Sequence, residues 1–282
     1  MKEGHIHRAQ SEGGVEIAGT VSGQGPPLVL LHGALDDGEM DWGEALPYLT
    51  ERFTCYVMST RGRGLSDDHP DHSLDALVGD VTAFVESIGG PVALAGQSGG
   101  GALTLAAAAR SPAIAAAAAY EPPLREAMDA ATEARFTALV DQMADATAKG
   151  SPTEAVRRFC EFVCNNNELA AVAEMNGFEL ASRYIQVDLE EFRQDIAPKG
   201  ANPKAASALK QITAPVLLLR GSQTALPWLA NAAAYAAKHI PNAEVRDIPG
   251  AGHLGPTFEP ERVAGELTQF FETTAHDGGR SR

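Results

Sequence analysis

The chain has 282 residues, 44% hydrophobic and 21% charged, a mixture that supports a buried core and excludes a disordered chain. Asp and Glu outnumber Lys and Arg by 37 to 22, a formal charge of −15; so acidic a surface repels phosphate backbones and anionic lipid, and neither nucleic acid nor membrane is an expected partner. Three cysteines, Cys55, Cys160 and Cys164, are an odd number in a chain that is not small, so packing is expected of them rather than a disulfide framework or a metal site.

The opening segment, MKEGHIHRAQSEGG, carries no apolar h-region. No apolar run approaches the ~20 residues of a membrane span. A cytoplasmic location is expected, with His5 and His7 in a mobile tail rather than at a metal. From Val15, VEIAGTVSG alternates and ends in glycine, which predicts an edge hairpin strand. PPLVLLHGAL from Pro26 and FTCYVMSTRGRGLSDD from Phe53 open with continuous apolar runs, as strands covered on both faces do. Between the second of these and the next strand, Leu74, Leu77, Val78, Val81, Phe84 and Val85 recur at helical period, with Ser73 as N-cap and Gly89 as stop. A strand from Pro91 leads to a bend at Ser98 and then to a helix through the alanines to Arg110. AIAAAAAYEPP from Ala113 reads as a strand because it is short, follows a helix and halts at two prolines.

This order predicts an α/β fold with a mostly parallel central sheet flanked by helices and right-handed crossovers. From Leu124 to about Lys210 the alternation stops and two long stretches read as helices, with Ser151-Pro152 marking the start of the second. Strands resume at APVLLLRG from Ala214 and at AEVRDIPGAGH from Ala243, separated by a helix. A last helix is expected over Pro260 to Glu272, with HDGGRSR frayed. The predicted organisation is a core of residues 1–123 and 211–282 interrupted by a helical insert, 124–210.

Gly96-Gln97-Ser98-Gly99-Gly100 matches G-x-S-x-G, with a strand before it and a helix after it. That setting puts a serine hydroxyl on a sharp turn where side chains on either side would collide with strand and helix. The helix that follows aims N–H groups at the site and favours negative charge there. Ser98 is therefore the candidate nucleophile.

With LHGAL at Leu31–Leu35, RGRGLSD at Arg61–Asp67 and GAGHLGP around His253, the chain resembles the α/β-hydrolase family from about Val15 to Phe271. The resemblance implies an α/β-hydrolase fold with the insert as a helical cap. It makes His253 the general base for Ser98, and assigns the oxyanion hole to the backbone N–H groups of Gly99 and Ala34. His32 is expected to hold its loop. Most members carry a carboxylate in the loop that here reads GSQTALP, where Thr224 stands instead. Some members place the acid after the strand ending in AYEPP, which makes Glu121 the candidate.

Arg61 and Arg63 could bind an anionic substrate group, but bracing of their loop through Asp67 or Asp68 is the expectation; Asp36 and Asp37 could line the entrance, but solvated turn residues are the simpler reading. Candidate pocket residues are Leu35, Met128, Phe162 and Leu254. The expectation is a serine hydrolase of an ester, lactone or related small acyl substrate, monomeric or homodimeric, using no metal and no organic cofactor. Perhydrolysis, C–C bond hydrolysis and non-catalytic ligand binding on the same fold remain open at this point.

Overall fold

The apolar runs become a single sheet. The computed structural model describes residues 4–197 and 202–278. Its strands are β1 (His5–Gln10), β2 (Glu16–Gly23), β3 (Pro27–Leu31), β4 (Thr54–Met58), β5 (Val92–Gln97), β6 (Ile114–Tyr120), β7 (Val216–Gly221) and β8 (Ala243–Ile248). They lie in the order β1-β2-β4-β3-β5-β6-β7-β8. β1 and β2 pair antiparallel, β2 joins β4 antiparallel, and every pairing from β4 to β8 is parallel.

Two expectations change here. The alternating segment from Val15 is not at the edge, because β1 pairs outside it. His5 and His7 belong to that edge strand rather than to a tail. The ring of His7 meets Phe84 edge-on at 5.1 Å and its Nε2 lies 2.7 Å from Ser87 Oγ. HIHRAQ is short and mostly polar, so its own sequence gives little strand signal; the hairpin partner supplies it.

Period-two alternation divides each central strand between two cores. Val29, Leu31, Leu94, Ala117, Ala119, Val216 and Leu218 face one. Leu28, Leu30, Ala95, Ala116, Ala118, Leu217 and Leu219 face the other. Helices α1 (Gly38–Trp42) and α2 (Leu46–Leu49) follow β3, α3 (Leu74–Ile88) follows β4, and α4 (Ser98–Ala108) follows β5. Ser73 caps α3 through Ala76 N, and Gly89 ends it at φ +78°, as the sequence predicts. The alanine-rich run is β6, central and buried.

Between β6 and β7 lie a 3-10 turn (Arg125–Ala127) and helices α5 (Ala130–Ala148), α6 (Pro152–Val163), α7 (Asn166–Glu174), α8 (Gly177–Ser182), α9 (Ile185–Ile196) and α10 (Ala206–Leu209). The second long helical stretch is thus broken. Asn165 opens a new helix with a capping box to Glu168, and Asn176, at φ +57°, turns the chain left-handed before α8. The chain closes with α11 (Pro227–His239), α12 (Gly255–Phe258) and α13 (Pro260–Gly278), the last running past the expected end. Of the HDGGRSR tail, residues 279–282 lie outside the described residues. No helix among the described residues is long and apolar enough to cross a membrane.

Arg61 and Arg63 do brace the loop after β4, but not through Asp67 or Asp68. Arg61 Nε and Nη2 donate to the two carboxylate oxygens of Asp80 on α3 at 2.6 and 2.7 Å. Arg63 reaches Asp188 and Glu191 on α9. These partners lie 19 to 128 residues away in sequence, beyond what local pattern reveals. Both members of the Arg61–Asp80 pair are buried, so removing one leaves the other charge unmatched. Asp80→Ala is expected to cost about 3–5 kcal/mol, read as a lower urea midpoint at unchanged m-value.

Candidate active site

The carboxyl ends of β3, β5, β6, β7 and β8 open on one edge of the sheet, where α/β folds place their ligands. Ser98 sits there, directly after β5, at φ +48°. A non-glycine residue in that region costs about 1–3 kcal/mol and persists only where its surroundings fix it. They do so here: a Cβ on Gly96 would stand 2.3 Å from Gly100 O, and one on Gly100 2.4 Å from His32 O. Glycine at both places lets β5, α4 and the loop after β3 close around the serine.

His253, in the loop after β8, points Nε2 at Ser98 Oγ, 3.1 Å away. Its Nδ1 lies 2.7 Å from Glu121 Oε2. Glu121 is fully buried at the end of β6, at φ +45°. Its Oε1 accepts from Gly221 N at 2.9 Å and its Oε2 from Thr224 Oγ1 at 3.1 Å. Thr224 stands where most members of the resembled family carry a carboxylate. It supplies no charge, yet its hydroxyl meets the carboxylate that arrives from the neighbouring strand. Burial works against a protonated His253, but the hydrogen bond and charge of Glu121 outweigh it and hold the pKa above its ordinary value.

The histidine loop is fixed from three sides. Gln97 Nε2 donates to His253 O at 2.9 Å, the Tyr120 hydroxyl donates to Gly252 O, and Leu254 N donates to Glu168 Oε1 at 2.7 Å. Glu168 also closes the capping box of α7, and Asn165 Nδ2 donates to Gln223 O at 3.1 Å. The start of α7 therefore holds both loops that meet at His253. The sequence pattern predicts one helix through this point; N-x-x-E at Asn165–Glu168 is the local signal that marks the break.

Ala34 lies in the loop after β3 and Gly99 at the start of α4. Ala34 N lies 3.9 Å from where a Cβ on Gly99 would stand, so the two residues face each other beside Ser98. Gly99 N–H, in the first turn of α4, has no helical acceptor of its own. His32 holds the loop: its Nδ1 donates to Gly33 O at 2.8 Å and its Nε2 accepts from Thr60 N at 3.1 Å. Burial keeps it neutral, with a pKa lowered to about 4. Asp41 Oδ2 accepts from Gly33 N and Asp188 Oδ1 from Leu35 N, each at 2.9 Å.

Asp36 and Asp37 are not solvated turn residues. Asp37 is buried, caps α1 through Met40 N and accepts from the Tyr184 hydroxyl. Asp36 is partly buried and lines a cavity beside Ser98. Turn composition alone hides the helices α8 and α9 that pack over this loop.

Two cavities meet at Ser98 and His253. One, about 130 Å³, is largely aromatic and apolar, with Met128, Phe136, Phe159, Phe162, Phe192 and Trp228 among its walls. The other, about 240 Å³, includes Leu35, Asp36, Cys160, Cys164, Met175 and Leu254. All four candidate pocket residues line these cavities, Met128 and Phe162 in the first, Leu35 and Leu254 in the second. All three cysteines are free.

Residues 28–266 match the model of a family described as the alpha/beta hydrolase family. The chain belongs to that family. It is 36% identical over 56 residues to a pyrrolizixenacetamide deacetylase of Xenorhabdus hominickii, covering 20% of this chain and 21% of that one. It is 33% identical over 95 residues to a fluoroacetate dehalogenase of a Burkholderia species, covering 32% and 31%. These matches span about a fifth to a third of the relatives' lengths. An alpha/beta hydrolase of Sphaerobacter thermophilus superposes with a TM-score of 0.74 at 28% identity, covering 94% of this chain and all of that one.

Glu121 sets the charge balance at His253. Glu121→Gln removes the charge that opposes burial, so the His253 pKa is expected to fall from above its ordinary value to below it. Imidazole proton NMR across pH 4–9 would follow the shift; an unmoved His253 titration would break the coupling.

Proposed function

We propose that this alpha/beta hydrolase is a serine carboxylic ester hydrolase acting on an ester, lactone or related small acyl substrate. The observation that carries the reading is the buried hydrogen-bonded chain from Ser98 through His253 to Glu121, at 3.1 and 2.7 Å. A free serine hydroxyl is a poor nucleophile at neutral pH and needs a base within hydrogen-bond reach. The Glu121 carboxylate fixes the tautomer with hydrogen on Nδ1, leaving Nε2 to take the proton.

As Ser98 Oγ adds to the carbonyl carbon, its proton passes to His253 Nε2 and the carbonyl oxygen becomes an oxyanion. Backbone N–H groups of Ala34 and Gly99 are the donors for that oxyanion, at the positive end of α4. Collapse expels the alcohol, which leaves with the proton from Nε2. Water then repeats the sequence on the acyl-enzyme, releasing the acid and restoring Ser98. The helices between β6 and β7 act as a cap: they wall both cavities and keep water from competing freely with substrate. The charge of the imidazolium formed in each step is balanced by Glu121 in surroundings of low dielectric, where such pairing is strongest.

Short p-nitrophenyl esters are expected to be turned over, with the activity lost in Ser98→Ala and a fluorophosphonate probe labelling Ser98 and no other residue. An intact protein that neither hydrolyses these esters nor takes the label would favour ligand binding without catalysis. Glu121→Gln is expected to lower kcat about 10³–10⁴-fold while circular dichroism stays unchanged. Activity within threefold of wild type in that variant would remove Glu121 from its role.

A further inference from the structure

The two cavities at Ser98 differ in one respect that apolar packing does not explain. The larger one is walled mostly by Leu35, Met40, Phe159, Val163, Val172, Met175, Leu180 and other apolar groups, and it contains no lysine or arginine. Into this wall the chain places Asp36. Every nearby carboxylate has protein donors: Asp37 takes Met40 N and the Tyr184 hydroxyl, Asp41 takes Gly33 N, and Asp188 takes Leu35 N and Arg63. Asp36 has neither a hydrogen-bond nor an ion-pair partner among the described residues.

Partly buried and without a protein donor, the Asp36 carboxyl has only the cavity from which to draw a partner. Burial, together with Asp41, Asp37, Cys160 and Asp188, pushes its pKa well above the ordinary carboxylate range. Arg63 is drawn to Asp188, and Arg183, which touches Met40 on the same wall, is drawn to Asp37; neither pairs with Asp36, and the chain's net charge of −15 adds a negative field there. A ligand cation would relieve both the desolvation and the repulsion. A ligand anion would add a further like charge.

We propose that Asp36 is a specificity-determining residue, and that the substrate part filling the cavity of Leu35, Cys160 and Met175 carries a protonated amine. The amine N–H donates to the Asp36 carboxylate, while the carbon skeleton packs on Met40, Val163 and Val172. The scissile carbonyl then stays at Ser98, between the two cavities. This inference rests on the reading of Ser98 as an acyl-transfer nucleophile, and deepens it by naming a basic group on the substrate.

Dimethylaminoethyl butyrate and isoamyl butyrate have nearly the same shape and differ by an ammonium nitrogen in place of a CH. Near neutral pH, wild type is expected to favour the amine ester by about tenfold or more in kcat/KM, the scale of one charge-assisted hydrogen bond. In Asp36→Asn that ratio is expected to fall to about one; being internal to each protein, it is unaffected by partial misfolding. Equal kcat/KM for the two esters in wild type, or a preference that survives in Asp36→Asn, would overturn the proposal. Calorimetric binding of dimethylaminoethanol, isoamyl alcohol and butyrate to both proteins separates the two readings. If neither ester is cleaved, the esterase reading fails, and a tighter amine in wild type alone still supports the pocket. Tighter binding of butyrate than of the amine would show Asp36 acting as a neutral acid and sink the proposal.

Discussion

A carboxylate removed from water must find donors or give up its charge. Glu121 stands at that limit, fully buried beneath the site. Its donors come from Gly221 at the end of β7, from Thr224 three residues on, and from His253 beyond β8. They converge only because β6 and β7 are parallel neighbours and the loop after β8 folds back across them. The same strand order sets Ser98 at the end of β5, one place to the side. Sheet order, the direction of β6 to β8 and the aim of His253 are thus requirements of one buried charge.

Part of this arrangement is written locally and part is not. Ser98 is legible because an elbow needs small neighbours, and Gly96 and Gly100 advertise that need. Glu121 is legible as a carboxylate closing a strand at two prolines. The part played by Thr224 is not, since it concerns a bond across strands 103 residues apart in sequence. Arg61 and Arg63 read correctly as braces and incorrectly as to partners, because arginine composition gives the need for a carboxylate but not its address. Asp36 and Asp37 mislead for the opposite reason: residues typical of solvated turns lie beneath helices that no local pattern places there. β1 escapes because its pairing, rather than its residues, makes it a strand.

Carboxylates in and around the loop after β3 do mechanical work that composition presents as surface charge. Asp41 and Asp188 hold backbone N–H groups at Gly33 and Leu35, and Asp37 starts α1. Burial raises the pKa of Asp41 and Asp188, so the loop that presents Ala34 is braced by groups held in poor surroundings for a charge. Arg63 offsets that at Asp188. An acidic chain here uses acidity inward, to shape a neutral backbone site.

The contacts that anchor the helices over Ser98 also limit how they can part. The start of α7 grips the His253 loop through Glu168, and α9 grips the loop after β3 through Asp188. Between these two rivets lies α8 with its flanks, where Met175 and Leu180 stand more than 40% exposed at the edge of the larger cavity. Lifting the whole helical layer would draw Leu254, and His253 with it, away from the serine. A widely open molecule is therefore one in which Ser98 and His253 have parted, and bulk solvent cannot reach Ser98 by that route while the two remain in register.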